Sequence, residues 1–341
     1  MPGRSLLRTL AALLALAIAG TAAAGLGTAP GKNGRIVFRR YLDAKRSTGA
    51  LFTVNPDGTN VKRVTRPPRG VVDQEADWSP NGKRIVFERK VPCRNGLDNT
   101  CDRIYAVNRD GKGLKSLIPC GFKGGGPPPG DCVGVHTPAW SPDGSKIAFR
   151  YSLVDRDYVD SLKVNSGIWI ANSDGTGRRQ ITQRTPGTAW DFGPQWSPDG
   201  TKLVFGRVDR KRNADAVFTV NVDGSGEFQV TPWELTAGNS PDWSPDGRWL
   251  LFTAQPRDGS ANVYKVHPDG SGLVNLTNQS QNGYHYTSSS FSPDGAMIIT
   301  ARTPGAGRAA DLVVMKVDGS RIRPIMRTKR WESAPDWGPR R

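Results

Sequence analysis

The chain has 341 residues, enough for one large or two ordinary domains, and its 40 glycines and 26 prolines make up close to a fifth of it, against roughly 12% in average usage. That density of backbone punctuation excludes a helical bundle or a helix-rich α/β fold and leaves an all-β, turn-rich chain. Lys and Arg exceed Asp and Glu by 16, a field that attracts anionic partners, although the basic residues are scattered over the chain without one dedicated patch.

The N-terminus reads as an export signal. Arg4 and Arg8 precede an apolar stretch from Leu10 to Ile18, and Ala22-Ala23-Ala24 supplies a small-residue cleavage pattern. Residues 1–24 are therefore read as a signal peptide, 25–32 as a short linker and 33–341 as the folded domain. A periplasmic or extracellular protein at the cell envelope or beyond it is expected, with no membrane span after cleavage, since no later segment is long and apolar enough to cross a bilayer. Export also removes nucleic acid as a partner in spite of the charge.

Beyond the linker one core recurs: Asp77-Trp78-Ser79-Pro80-Asn81-Gly82, then Trp140-Ser141-Pro142-Asp143-Gly144, Trp196 to Gly200, Trp243 to Gly247 and Phe291 to Gly295, at spacings of 62, 56, 47 and 48 residues. A fixed core at such intervals means a repeat architecture. Alternating apolar pairs follow it (Ile85 and Phe87, Ile147 and Phe149, Leu203 and Phe205, Leu250 and Phe252), which reads as a half-buried strand after a tight turn. A second motif interleaves with the first, an aromatic or β-branched residue five positions before Asp-Gly, in six copies: Phe52 to Gly58, Tyr105 to Gly111, Trp169 to Gly175, Phe218 to Gly224, Tyr264 to Gly270 and Val313 to Gly319. Each predicts a hairpin, so one unit is four antiparallel strands, A to D. The sixth copy of the first core is split between the ends of the chain, Pro335-Asp336-Trp337-Gly338-Pro339 supplying its start and Asn33-Gly34-Arg35-Ile36-Val37-Phe38 its continuation. The expectation is a six-bladed β-propeller of four-stranded blades, its ring closed by N- and C-terminal strands sharing one blade.

The Trp-Ser-Pro-Asp-Gly core with Ile-x-Phe, followed by the Asp-Gly hairpin and Leu-Thr, resembles the TolB-like, WD40-like β-propeller repeat family over residues 33 to 339. That family implies an additional α/β domain before the propeller in TolB itself, for which about ten residues between the cleavage site and the first strand leave no room. The resemblance implies the propeller and leaves its use open, because such propellers serve many ends.

In an antiparallel blade the Asp-Gly turns share one face and the longer connections the other. Insertions after Phe87, Ile118 and Phe149 fall on that other face in two adjacent blades, and they carry all four cysteines. In an exported chain these read as disulfides, of which three connectivities exist; the local pairs Cys93 with Cys101 and Cys120 with Cys132 are favoured. Their spacings do not suit zinc.

Residues just before each Trp are expected to rim the central channel and bind a ligand: Asp73, Gln74, His136, Asp191, Asn239, His285, Tyr286 and Glu332. No G-x-S-x-G elbow, calcium-loop pattern or phosphate-cradling Gly loop occurs, so no catalytic residue, metal or cofactor is assigned. A non-catalytic, monomeric scaffold that binds a protein segment or an anionic envelope component is the expected function. The alternative is a glycan lyase or hydrolase using His136, His285 and neighbouring carboxylates at the channel mouth.

Overall fold

The computed structural model describes residues 30–92, 100–120, 132–154, 164–183, 189–256, 259–278, 283–304 and 309–340; the expected signal peptide lies outside them. The order is β1 (Lys32–Tyr41), β2 (Gly49–Val54), β3 (Lys62–Arg63), then β4 (Val72–Trp78), β5 (Arg84–Pro92), β6 (Thr100–Asn108) and β7 (Lys115–Ile118). There follow β8 (Cys132–Trp140), β9 (Lys146–Val154), β10 (Val164–Asn172) and β11 (Arg179–Gln180), and then β12 (Ala189–Trp196), β13 (Lys202–Asp209), β14 (Ala214–Asn221) and β15 (Phe228–Gln229). The last nine are β16 (Ala237–Trp243), β17 (Leu250–Ala254), β18 (Asn262–Val266), β19 (Val274–Asn275), β20 (Tyr284–Phe291), β21 (Met297–Pro304), β22 (Asp311–Lys316), β23 (Arg323–Met326) and β24 (Glu332–Arg340). One 3-10 turn, Trp233–Leu235, interrupts them, and among the described residues no helix is long and apolar enough to cross a membrane.

The protein is all-β. Strands β12 to β15, β16 to β19 and β20 to β23 form separate four-stranded antiparallel sheets, and β4 to β7 and β8 to β11 have the same order. Isolated parallel bridges, Gly49 to Val72 and Asp102 to Gly134, tie neighbouring sets together. β24 pairs antiparallel with β1, which continues into β2 and β3.

Local chemistry explains the repeat. In Trp140-Ser141-Pro142-Asp143-Gly144 the Ser141 hydroxyl donates to Asp143 Oδ1 (2.6 Å) and accepts from the Lys146 amide (2.8 Å), and the Gly144 amide donates to the Ser141 carbonyl (2.8 Å). The turn thus satisfies its own polar groups while reversing the chain. In the second motif Asp174 Oδ1 accepts from the Thr176 amide (2.9 Å) and hydroxyl (2.6 Å). The fourth strands are short because a Thr hydroxyl takes over from the ladder: Thr65, Thr182, Thr231 and Thr277 each accept the amide of a third-strand residue (Leu51, Ile168, Val217, Val263) at 2.9–3.1 Å.

The core lies between the sheets. One apolar cluster joins Val86, Ile104 and Ile118 to Trp140, Ile147 and Phe149; another joins Val37, Leu51 and Val64 to Trp78, Ile85 and Phe87; a third joins Ile299, Leu312 and Ile325 to Ile36, Phe38 and Trp337. Each Trp that ends a first strand therefore packs on the preceding sheet. The turn glycines sit at the same seams. Gly175 has φ +90°, and a Cβ there would stand 2.1 Å from the Leu117 carbonyl oxygen, whereas one on Gly144 (φ +73°) would meet nothing closer than Pro80 at 3.8 Å. Gly144→Ala is expected to cost only the backbone strain, about 1–2 kcal/mol, and Gly175→Ala clearly more because the sheets must part; denaturant midpoints of the two variants check the difference.

Cys120 and Cys132 form a disulfide with their Cα atoms 5.4 Å apart. Cys101 is also disulfide-bonded; Cys93 lies outside the described residues.

Candidate functional site

Each inner strand has a left-handed residue at the same place. Glu75, Thr137, Gly193, Ser240, Ser288 and Ala334 have φ between 46° and 59° and stand three positions before Trp78, Trp140, Trp196, Trp243, Phe291 and Trp337. The pairing register slips at the same places, as it must when a bulge inserts one extra residue and reverses the side-chain alternation. Residues one and four before the aromatic consequently face the same way. Most of them, together with the bulge residues between them, line a cavity of about 320 Å³ walled by β4, β8, β12, β16, β20 and β24.

Three carboxylates at the position before the aromatic reach into it. Asp77 Oδ2 accepts the Trp140 amide (2.7 Å), Asp242 Oδ2 the Phe291 amide (2.8 Å) and Asp336 Oδ2 the Trp78 amide (2.9 Å), so each ties its strand to the next inner strand. Burial, reinforced by the charge of Asp242 and opposed by the Trp78 amide, pushes the Asp336 carboxyl up to about 7. Asp77 is raised for the same reasons, burial first and then the charges of Asp336 and Asp242.

A second cluster lies in the wall where the β4–β7 sheet meets the next. His136 Nδ1 is 3.1 Å from Asp102 Oδ2 and 3.6 Å from Glu88 Oε1. Glu88 also accepts from Gln74 Nε2 (2.7 Å) and the Thr137 amide (3.1 Å), and Gln74 in turn accepts from Arg39. Burial disfavours charge on His136, but the two carboxylates outweigh it and hold the imidazole above its ordinary range. Glu88 is held low by His136 against its burial, while burial raises Asp102. Arg150 shares this wall of the cavity.

Of the residues expected at the rim, Gln74, His136 and Asn239 line the cavity. Asp73, Asp191 and Glu332 do not: all three are fully buried and closed into ion pairs within their own sheets, Asp73 with Arg89 (2.6 and 2.9 Å), Asp191 with Arg207 (2.6 and 3.1 Å) and Glu332 with Arg40 (2.6 Å). Each guanidinium lies over an aromatic ring as well, Arg89 over Tyr105, Arg207 over Phe218 and Arg40 over Phe52, at 4.1–4.8 Å, which lets the charge be buried without being stranded. Tyr286 is fully buried in the core, and His285, whose backbone carbonyl accepts from Thr303, is not among the lining residues. His136 and His285 are therefore not brought together on the cavity.

Sequence reading missed Asp77, Asp242, Asp336, Glu88 and Asp102. A signal for the first three was present, an Asp immediately before Trp in three of the cores. A signal also distinguished the clamped acids: an acid five before Trp occurs with an Arg two after the Phe of the second strand, and where Val135 or Gly238 replaces that acid the Arg is replaced too, by Tyr151 or Ala254, whereas Tyr286 stands opposite a retained Arg302.

The family model of the TolB beta propeller domain matches residues 132–341. The chain belongs to the TolB β-propeller family. A TolB homolog from Chlorobium luteolum is 28% identical over 229 residues, covering 57% of this chain and 48% of that protein. A probable dipeptidyl-peptidase 5 from Aspergillus clavatus is 28% identical over 177 residues, 51% of this chain but 22% of the relative. The chain thus spans under half the length of these curated relatives. The crystal structure of TolB from Acinetobacter baumannii superposes with a TM-score of 0.66 at 18% identity, over 90% of this chain and 67% of that one, a likeness of fold. In this TolB-like propeller β4, β8, β12, β16, β20 and β24 carry most of the lining side chains, and three of them also carry the acid of a buried clamp whose arginine stands on the adjacent strand of the same sheet.

Proposed function

We propose that the chain is an exported, monomeric, non-catalytic propeller of six four-stranded blades, which captures a protein segment at the cell envelope or outside the cell by seating a cationic side chain in the central cavity. The ring reading is supported by the β24–β1 pairing and by apolar clusters on both sides of that shared sheet. Export is supported by Arg4, Arg8 and the apolar stretch that follows, together with the Cys120–Cys132 disulfide. The observation that carries the binding reading is the trio Asp77, Asp242 and Asp336 in the cavity wall of a chain that is strongly basic as a whole. A bound cation would relieve their mutual repulsion, whereas an anion would add to it; the scattered basic exterior is left to contact anionic envelope components. A lyase or hydrolase using both His136 and His285 has less support, because His285 does not line the cavity.

The test is calorimetric titration with short peptides carrying a central Lys or Arg, or a central Asp or Glu. Saturable binding of the cationic peptides alone is expected, weakened at least about tenfold in Asp77→Asn/Asp336→Asn, which corresponds to about 1.4 kcal/mol. Binding of acidic peptides instead, no saturable binding, or an affinity unmoved by the double variant would overturn the reading.

A further inference from the structure

We infer that Glu88, Asp102 and His136 form a binding site for one first-row divalent metal ion, zinc-like in its preference, set in the wall of the cavity at the seam between the β4–β7 and β8–β11 sheets. Among the described residues this is the one group of three potential ligands whose donor atoms all lie within 4.8 Å of one another. The His136 Nδ1 separations of 3.1 and 3.6 Å from the two carboxylates bracket the edge of about 3.4 Å expected for a tetrahedral ion with bonds of about 2.0–2.1 Å. One imidazole and two carboxylates suit zinc or manganese better than calcium, which takes oxygen ligands throughout.

Two further observations point to a ligand. Asp102 is 4% exposed and its Oδ1 has no hydrogen-bond partner, although an unsatisfied buried carboxylate oxygen is costly; a metal held by both oxygens of this carboxylate would satisfy it. The ring of His136 is also placed by a special backbone: a Cβ on Gly134 would stand 2.2 Å from His136 Nε2, so only glycine there lets the imidazole lie across the strand and turn Nδ1 to the acids. The surroundings are those of an oriented ligand set, since Glu88 is held by Gln74 and the Thr137 amide, and Gln74 by Arg39. Glu88 and His136 border the cavity while Asp102 closes the site from behind, which leaves the remaining coordination position open to the lumen, with Arg150 beside it to receive an anionic group bound to the metal.

The experiment uses the tag-free mature chain, stripped with chelator and titrated separately with zinc, manganese and calcium chlorides, with metal content measured after gel filtration and cobalt used as a spectroscopic substitute. One equivalent of zinc retained through gel filtration is expected, with cobalt giving the visible absorption of a low-coordinate site. Asp102→Asn and His136→Gln, whose thermal melts show whether they fold, should each weaken zinc binding at least about a hundredfold. Gly134→Ala, which touches no ligand atom chemically, should weaken it as well by displacing the ring. No stoichiometric zinc, zinc binding unmoved in folded Asp102→Asn or His136→Gln, or a preference for calcium that survives His136→Gln would each overturn the assignment.

Discussion

Arg89→Ala is expected to destabilise the protein by about 3–5 kcal/mol, the cost of leaving a fully buried carboxylate without its partner. Asp73 is 0% exposed, and both its oxygens accept from the Arg89 guanidinium; the same guanidinium stacks on Phe87 and Tyr105. Removing it strands the charge and opens a hole above two rings. The neighbouring sheet shows what an uncharged solution looks like, with Val135 and Tyr151 at the equivalent positions. The double variant Asp73→Val/Arg89→Tyr should accordingly recover most of the loss and come within about 1–2 kcal/mol of the parent, since a buried ion pair replaced by packed apolar groups is often neutral. Denaturant midpoints measure both. A cost below about 1 kcal/mol for the single variant would mark the pair as no stronger than a surface contact, and a double variant no better than the single would remove the equivalence of the two sheets.

Asp336→Asn is expected to stabilise the protein at pH 8 and to leave it nearly unchanged at pH 4. The carboxyl rises from 3.8 to about 7 on folding, so between those values the native state holds a proton that the unfolded chain has released, and stability falls as pH rises through the window. A displacement of that size corresponds to roughly 4 kcal/mol as a ceiling, reduced by the water the cavity admits to this side chain. Asparagine keeps an oxygen to accept the Trp78 amide, and its amino group can face Ser290 Oγ, which now donates to Asp336 Oδ1. Urea midpoints from pH 4 to 8 should diverge, the parent losing ground on the variant as pH rises; parallel profiles would show that Asp336 is not held protonated by the fold.

The strands and turns were legible because their determinants are local. Ser141, Asp143 and Gly144 close a hairpin with their own hydrogen bonds, Asp174 and Thr176 close another, and Ile147 and Phe149 stand two apart at the strand period, although Ala148 between them is buried as well. The wall of the cavity was legible only in part. Gln74, His136 and Asn239 sit four before the aromatic and do line it, while Asp73, Asp191 and Glu332, one residue earlier, turn inward to their arginines.

That one-residue difference is decided by the bulge. Period-2 counting carried back from Trp78 assumes an unbroken strand, but the left-handed residue at Glu75, Thr137 or Ala334 adds one position and flips every side chain before it. Glu, Thr and Ala do not announce φ > 0, and the bulge recurs where the six strands that wall the cavity come together, not where local preference would put it. The same convergence brings Glu88 and Asp102 to His136, from positions 48 and 34 residues away in the chain. Repeat, turns and strand order thus followed from residues near one another in sequence, whereas the direction in which each acid points was settled by tertiary packing, because a carboxylate's partner is chosen by space and charge and not by spacing along the chain.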